Sequence, residues 1–345
     1  MTPPLLSRLG IERPIVQGPF GGAYSTVRLA AAVSNAGGLG SFGAHRLTPS
    51  EILDTAAAIR HVTTRPFALN LWVSNRDEGG AHPSREAVLR MHEALRPYYA
   101  ELGIDPPPPE TKAVHDFEDQ ARAVIEARPA VFSFIFGIPS REIIAECKRS
   151  GIVLAGGATT VDEARALEQA GADVVVASGF EAGGHRPSFL AAAEDSLMGT
   201  MSLVPQAASA VRIPVIAAGG ISDARGAAAA LLLGAQAAQI GTAFLACEES
   251  GAPTLHRDLL FDRAAGRTVL SRVYTGRLAR AIRNRLPDEL RGARLLAYPA
   301  QLWVMSALHE AALKRSRADL MSLWSGQSSG LLRWRNVESL MAALP

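Results

Sequence analysis

The feature that most constrains the fold of this 345-residue chain is a regular alternation of short apolar runs with amphipathic stretches. Such alternation is typical of parallel strands joined by crossover helices. The apolar runs predict strands at residues 14–19, 39–44, 66–73, 130–137, 152–158, 172–177, 214–218 and 237–245. Eight repeats with short links favour an α/β fold of the TIM (β/α)8 barrel type, with an open sheet as the alternative.

Two regions depart from this rhythm. Residues 74–115 contain Gly79-Gly80 and a run of prolines from Pro106 to Pro109, and we interpret them as a loop insertion after strand three. The barrel is expected to occupy residues 1–250. Residues 251–345 are expected to form a helical C-terminal extension that packs on the barrel. Within strand three, Asn70 is a polar residue in an otherwise apolar run, so it should have a buried hydrogen-bond partner.

Local signals also predict helix boundaries. Ser25 is a candidate N-cap for a helix over residues 25–35, and further helices are predicted near residues 48–61 and 117–127. The uncharged segment 226–247 is long enough to resemble a membrane span. Gly234 and Gly241 interrupt it, so a helix followed by a buried strand is the better interpretation.

Composition excludes several classes of partner. The net charge is only +2, and 20% of residues are charged, which argues against nucleic acid or an anionic membrane as a partner. Cys147 and Cys247 are the only cysteines, so neither a disulfide framework nor a C-x-x-C metal site is expected. The start of the chain lacks the features of a secretion signal. A cytoplasmic location is therefore expected.

Glycines cluster where barrel enzymes bind phosphate, after predicted strands seven and eight. The first cluster lies in segment 214–226, where Gly219 and Gly220 precede a helix whose N-terminal amides could bind an anion. The second is Gln239-Ile240-Gly241-Thr242, where glycine permits close backbone approach and threonine offers a hydroxyl donor. A phosphorylated cofactor is therefore expected here.

His185 is the candidate catalytic residue. It follows Gly183 and Gly184 in the loop after predicted strand six, on the face where barrel enzymes place their chemistry. An imidazole there can accept or hold a proton. The other seven histidines, including His45 and His309, are interpreted as structural.

Other patterns are less informative. The G-x-G-x-x-G match at residues 38–43 follows a helix and enters a strand, the reverse of a dinucleotide-binding fingerprint. No histidine or carboxylate pair has metal-ligand spacing, so no metal is expected. Arg277, Arg280, Arg283 and Arg285 lie close together, and we interpret them as a solvated helix face, with contact between one of them and an anionic substrate group as the alternative.

The chain resembles the nitronate monooxygenases over most of residues 10–330. The resemblance rests on residues 17–22 (QGPFGG), 30–40 (AAAVSNAGGLG), 181–185 (EAGGH), 217–221 (AAGGI), 239–242 (QIGT) and 324–327 (WSGQ), and on Asn70. Related flavin-dependent enoyl-thioester reductases and NAD(P)H:quinone reductases share several of these phrases.

The resemblance implies an FMN cofactor and assigns residues to it. Its phosphate would lie against Gly220, Gln239, Gly241 and Thr242, with Asn70 and Gly183 near the flavin. The backbone from Pro19 through Phe20 to Gly21 would lie beneath the ring. Ser178, Ile240 and Gln327 complete the expected cofactor-binding set, and His185 would be the base that removes the proton α to the nitro group.

Two positions depart from the family pattern. Ser178 stands where many members have glutamine, and Ile135 stands where many have a polar histidine or threonine. The expected activity is FMN-dependent oxidation of nitronates or nitroalkanes by O2 to carbonyl compounds and nitrite. The alternatives are an NAD(P)H-dependent reductase of quinones or enoyl thioesters, and a non-catalytic flavin- or metabolite-binding protein.

Overall fold

Eight parallel strands form a barrel in the computed structural model, which describes residues 4–108 and 114–345. The barrel strands are β1 (Ile15–Gln17), β2 (Gly40–Gly43), β3 (Phe67–Trp72), β4 (Val131–Ile135), β5 (Val153–Ala158), β6 (Val174–Ser178), β8 (Val215–Ala218) and β9 (Ala237–Ile240). Strand β7 (Gly184–His185) lies outside the barrel. Each barrel strand pairs with the next, β9 pairs with β1, and a bridge between Val16 and Leu39 joins β1 to β2. The predicted barrel is confirmed.

Helices surround this barrel. They are α1 (Pro4–Leu9), α2 (Val27–Asn35), α3 (Pro49–Val62), α4 (Arg85–Leu102), α5 (Phe117–Ala127), α6 (Arg141–Arg149), α7 (Val161–Ala170), α8 (Thr200–Ala210), α9 (Ala224–Leu232), α10 (Thr242–Leu245), α11 (Thr254–Leu260), α12 (Arg285–Glu289), α13 (Ala300–Lys314) and α14 (Val337–Ala342). Helix α4 lies in the predicted insertion, of which residues 109–113 are outside the described residues. No helix of the described residues is both long and apolar enough to cross a membrane.

Side-chain capping explains where several helices begin. Thr48 forms a capping box with Glu51 at the start of α3, and its hydroxyl accepts from the Glu51 amide. The N-cap of α2 is Thr26, so the prediction of Ser25 was wrong by one residue. The Ser25 hydroxyl instead accepts from the amides of Phe20 and Gly43, at 3.0 and 3.1 Å. Ser25 thereby shapes the loop that follows β1.

Predicted strand eight was too long. Strand β9 ends at Ile240, and residues Thr242–Leu245 form the short helix α10. Gly241 marks the change, with φ −100° and ψ −77° outside the strand region. The periodicity of a continuous apolar run does not distinguish a buried strand from a buried helix. The change from β9 to α10 could therefore not be predicted from the sequence.

The barrel is closed at one end. Leu5, Leu6 and Leu9 of α1 belong to one buried cluster with side chains from the barrel interior, among them Val16 and Val174. The Leu5 amide also donates to the Gln236 side chain at 3.1 Å. Because this plug lies at the amino ends of the strands, the opposite end is the one available for a site.

The C-terminal region contains strands as well as helices. Strands β10 (Thr268–Ser271) and β11 (Ala279–Ile282) form an antiparallel pair, and β11 also pairs with β7. The interpretation of the nearby arginines as a solvated helix face was wrong for Arg277 and Arg280, which are only 6% and 3% exposed. Asp77 pairs with Arg277, and the Phe180 carbonyl accepts from Arg280, so both buried guanidinium groups have hydrogen-bond partners.

Candidate active site

A cavity of about 610 Å³ lies at the carboxyl ends of the barrel strands. Its volume is in the usual range for cofactor and substrate sites. Loops after β1, β2, β6, β8 and β9, the strands β3 to β5 and the C-terminal region all contribute to its wall. This is the end of the barrel opposite to the α1 plug.

Backbone amides converge on one part of this cavity. In the described part of the chain, the N–H groups of Gly219, Gly220, Gly241 and Thr242 have no hydrogen-bond acceptor. Gly219 and Gly220 adopt φ values of +106° and +70°, a region that favours glycine. Gly241 and Thr242 lie at the start of α10, and all four residues line the cavity, so a ligand in it could accept from their amides. The arrangement therefore fits an anionic group such as a phosphate.

Thr242 connects this cradle to the C-terminal region. Its hydroxyl oxygen accepts from the Gly326 amide at 2.9 Å, which leaves the hydroxyl hydrogen available to a ligand. A Cβ on Gly183 would lie 2.6 Å from the Gly326 nitrogen, so only glycine allows these two loops to meet. A Cβ on Gly241 would instead point into open space, with its nearest neighbour 4.0 Å away on the Phe20 ring.

The expected helix N-terminus does not provide the free amides. Asp223 caps α9, and its carboxylate accepts from the Gly226 amide at 3.0 Å. An aspartate already satisfies the positive end of this helix. The amides available to an external anion therefore belong to the loop before α9 and to Gly241 and Thr242 at the start of α10.

The loop after β1 and strand β3 supply other lining residues of the cavity. Pro19, Phe20 and Gly21 line it, and a Cβ on Gly21 would lie 2.4 Å from the His45 ring. The side-chain amide of Asn70 donates to the Ser133 hydroxyl at 3.0 Å, which confirms that Asn70 has a partner. Its side-chain oxygen Oδ1 makes no hydrogen bond with the described residues.

His185 lies on the wall of the same cavity. Strand pairing holds its backbone, because His185 of β7 is opposite Ala279 of β11. The His185 Nε2 atom lies 2.9 Å from the Thr275 hydroxyl, while Nδ1 makes no hydrogen bond with the described residues. Thr275 is therefore a positioning residue that leaves one ring nitrogen for a ligand.

Aromatic rings surround the imidazole. The ring centroids of Trp72 and Trp324 lie 5.0 and 5.4 Å from that of His185, and Phe136 lies 6.3 Å away. Burial, followed by the positive charge of Arg277, lowers the pKa of His185 to about 3. The imidazole is therefore neutral at physiological pH.

Arg277 contributes a positive charge behind this aromatic wall. Its guanidinium stacks 4.1 Å from the Phe136 ring centroid and 4.5 Å from that of Tyr298. It pairs with Asp77 at 2.6 Å. His45 also contacts the site, since its ring stacks on Trp72 at 3.9 Å, and burial holds its pKa well below the usual value.

The structure brings most of the expected residues together. The expected residues that line the cavity are Pro19, Phe20, Gly21, Asn70, Ser178, Gly183, His185, Gly220, Gln239, Gly241 and Thr242. Ile240 and Gln327 are not among them. The Ile240 side chain is fully buried, and its carbonyl accepts from the Gly18 amide. Gln327 is exposed, although its neighbours Gly326 and Ser328 line the cavity.

Sequence reasoning missed several cavity residues. Thr275 and Trp324 lie in the C-terminal region, where the pattern gave no barrel signal, and His45 and His309 were interpreted as structural. Trp72 is the last residue of β3 and the second-last of the predicted strand 66–73, and this position near the carboxyl end of a barrel strand is the signal that could have identified it. Within the described ranges, no group of three or more potential ligands is arranged to hold a metal ion.

The fold and cavity define a (β/α)8-barrel enzyme whose site combines an anion cradle with a buried imidazole. The model of the nitronate monooxygenase family matches residues 2–344. A probable nitronate monooxygenase from Staphylococcus haemolyticus is 39% identical over 99% of this chain and 95% of its own. A similar protein from Staphylococcus aureus strain Newman is 38% identical over 98% of this chain and 95% of its own.

Solved structures of related enzymes are also similar to this chain. The nitroalkane oxidase from Streptomyces ansochromogenes has a TM-score of 0.88 and 38% identity, and the match covers 96% of this chain and 94% of that one. FabK from Thermotoga maritima has a TM-score of 0.74 and 29% identity, over 99% and 94% of the two chains. The chain belongs to the nitronate monooxygenase family and is an oxidoreductase, and membership implies a flavin cofactor.

Proposed function

We propose that the protein oxidises nitronates and nitroalkanes with FMN and O2, giving a carbonyl compound and nitrite. The observation that carries this proposal is the placement of His185, with a free ring nitrogen, in the same cavity as the amide cradle. The free ring nitrogen of His185 could accept an α-proton or contact a nitro group. The amide cradle could bind the phosphate of a phosphorylated flavin.

The amide cradle supports FMN as the flavin. The groups that would hold its phosphate are the amides of Gly219, Gly220 and Gly241 and the amide and hydroxyl of Thr242. Pro19, Phe20, Gly21, Asn70, Ser178, Gly183 and Gln239 would contact the rest of the cofactor. Bound FMN supplies the electron transfer and oxygen chemistry, and the chain supplies position and electrostatics.

The chain's own contribution centres on the proton and the negative charge of the substrate. The proposal makes His185 the base that accepts the α-proton of a neutral nitroalkane on Nδ1, while Thr275 fixes the ring through Nε2. Trp72 and Trp324 exclude water around the imidazole. Arg277 provides a positive field that favours a nitronate anion, so a preformed nitronate should be the better substrate.

The lowered pKa of His185 gives a pH dependence that can be measured. The form competent as a base is the neutral one, and it persists at all pH values above about 3. We therefore expect kcat/KM for a freshly dissolved neutral nitroalkane to show no loss from His185 protonation as pH falls through 6.5, the ordinary histidine value. A loss of kcat/KM with a pKa near 6.5 that disappears in His185→Asn would contradict the lowered pKa of His185.

The proposed function is tested on the purified protein. It should be yellow, should release FMN on denaturation, and should consume O2 and produce nitrite when given a nitronate. Colourless protein that cannot be reconstituted with FMN would overturn the proposal. Anaerobic mixing with NADPH distinguishes the alternative, because rapid bleaching of the flavin indicates an NAD(P)H-dependent reductase.

A further inference from the structure

The cavity extends well beyond His185, along one face of α13. Leu302, Met305, Ser306, His309 and Leu313 all line it, at the three- to four-residue spacing of a single helical face. From the first to the last of them this face is about 16 Å long, at 1.5 Å per residue. We name this part of the cavity, which also includes Leu320, the α13 arm.

The arm is continuous with the reaction site. Leu302 packs against the cluster formed by Trp72, Phe136 and Tyr298, and the Trp72 ring lies 5.0 Å from the His185 ring. The amino end of α13 therefore packs against the aromatic cluster whose Trp72 lies next to the imidazole. Its carboxyl end, near Leu313, lies far from it, and the exposed Glu310 lies at that end.

Packing holds the wall of the arm in place. Helix α13 packs against α4 of the insertion, on the side away from the cavity. The segment after α13 is held against the same wall, because the Ser322 amide donates to His309 Nδ1 at 3.3 Å and Leu320 is fully buried. A wall supported on both sides is preformed, so a ligand need not order it.

The chemistry of the arm indicates an apolar occupant. Leu302, Met305 and Leu313 provide its aliphatic surface, and its polar side chains Ser306, His309 and Ser322 carry no formal charge when His309 is neutral. Glu310 is the one α13 residue on the described cavity wall that carries a formal charge, and it is exposed. Leu302 and Met305 lie in the half nearest to His185. An alkyl chain attached to a nitro group at His185 would enter at this apolar end.

We propose that the α13 arm binds the alkyl chain of an elongated nitro substrate, so that the enzyme prefers unbranched long-chain nitronates to short ones. This inference rests on the proposed function for the identity of the nitro group. It also accounts for the apolar Ile135, which lines the cavity and packs against the same aromatic cluster as Leu302.

The first test is a chain-length series of primary nitronates from nitroethane to 1-nitrodecane. Until the arm is filled, kcat/KM should rise by about fourfold per methylene, the factor that corresponds to about 0.8 kcal/mol for each buried CH2. Dissociation constants of the neutral nitroalkanes, measured anaerobically by calorimetry, should fall by a similar factor. A flat or declining series in both measurements would overturn the proposal.

The second test blocks the arm. Ser306 lies midway along its wall, and its hydroxyl donates only to the Trp303 carbonyl of the same helix. Ser306→Phe should therefore lower the ratio of kcat/KM for 1-nitrodecane nitronate to that for nitroethane nitronate by at least about tenfold, the value of two lost methylene contacts. Lys314→Phe is the matched control, because Lys314 is exposed on the same helix and does not line the cavity.

The two measurements separate the two proposals. If nitronates are oxidised without any chain-length preference, the arm proposal is wrong and the proposed function stands. If no nitronate is oxidised but binding still strengthens with chain length and weakens in Ser306→Phe, the arm is correct and the proposed reaction is wrong. If Ser306→Phe does not fold, the binding series on the unaltered protein still decides the matter.

Discussion

Replacement of His185 by asparagine should lower kcat/KM for a neutral nitroalkane by about 10²- to 10⁴-fold, while the corresponding preformed nitronate remains a comparatively good substrate. A positioned general base contributes a factor of this size to proton transfer. The nitronate has already lost its α-proton, so it does not need the base. The measurement is oxygen consumption with both ionisation forms of the same compound, at equal FMN content of the two proteins.

The outcome also decides between roles for this residue. An equal loss for both forms would show that His185 binds the nitro oxygens or shapes the pocket. No loss for either form would mean that another group accepts the proton. His45 would then be the next residue to test, because its ring stacks on Trp72 in the same cavity.

Thr275 provides a control that leaves the imidazole in place. Its hydroxyl lies 2.9 Å from His185 Nε2, so Thr275→Val removes the contact that orients the ring without removing the base. We expect a smaller loss than in His185→Asn, again confined to the neutral nitroalkane, and recovery in Thr275→Ser. A loss in Thr275→Val that Thr275→Ser does not restore would indicate a packing defect instead.

The barrel was predictable because each of its strands is a local signal. A strand that is buried on both faces appears in the sequence as a short apolar run, and glycines mark the turns that follow it. Gly219, Gly220 and Gly241 could thus be assigned to one cavity before any coordinates were known, since parallel strands place their carboxyl ends together.

The rest of the site depends on contacts that local sequence does not encode. Thr275 reaches His185 across 90 residues of chain, because β11 pairs with β7 in a small sheet outside the barrel. Arg277 and Arg280 have the composition of a solvated surface, yet aromatic faces and backbone carbonyls allow them to be buried. The cavity wall formed by α13 also depends on the insertion, through its contact with α4.

Gly241→Val should give protein that is largely free of FMN, with the dissociation constant raised by about 10²-fold or more. The Gly241 backbone is unstrained for other residues, and its Cβ would point into the cavity, so the substitution fills the cradle without disturbing the fold. Loss of two hydrogen bonds to a charged phosphate accounts for an effect of this size.

Gly220 is a poorer choice for the same test, because its φ of +70° would strain any side chain and confuse misfolding with loss of binding. Gly226→Ala is the matched control. Gly226 lies in segment 214–226, which also contains Gly219 and Gly220. Its added Cβ would meet no atom closer than 3.5 Å, and its amide would still donate to Asp223. Flavin absorbance per mole of protein and fluorescence titration with FMN measure the difference. Full FMN occupancy in Gly241→Val, with the control unchanged, would place the phosphate elsewhere in the cavity.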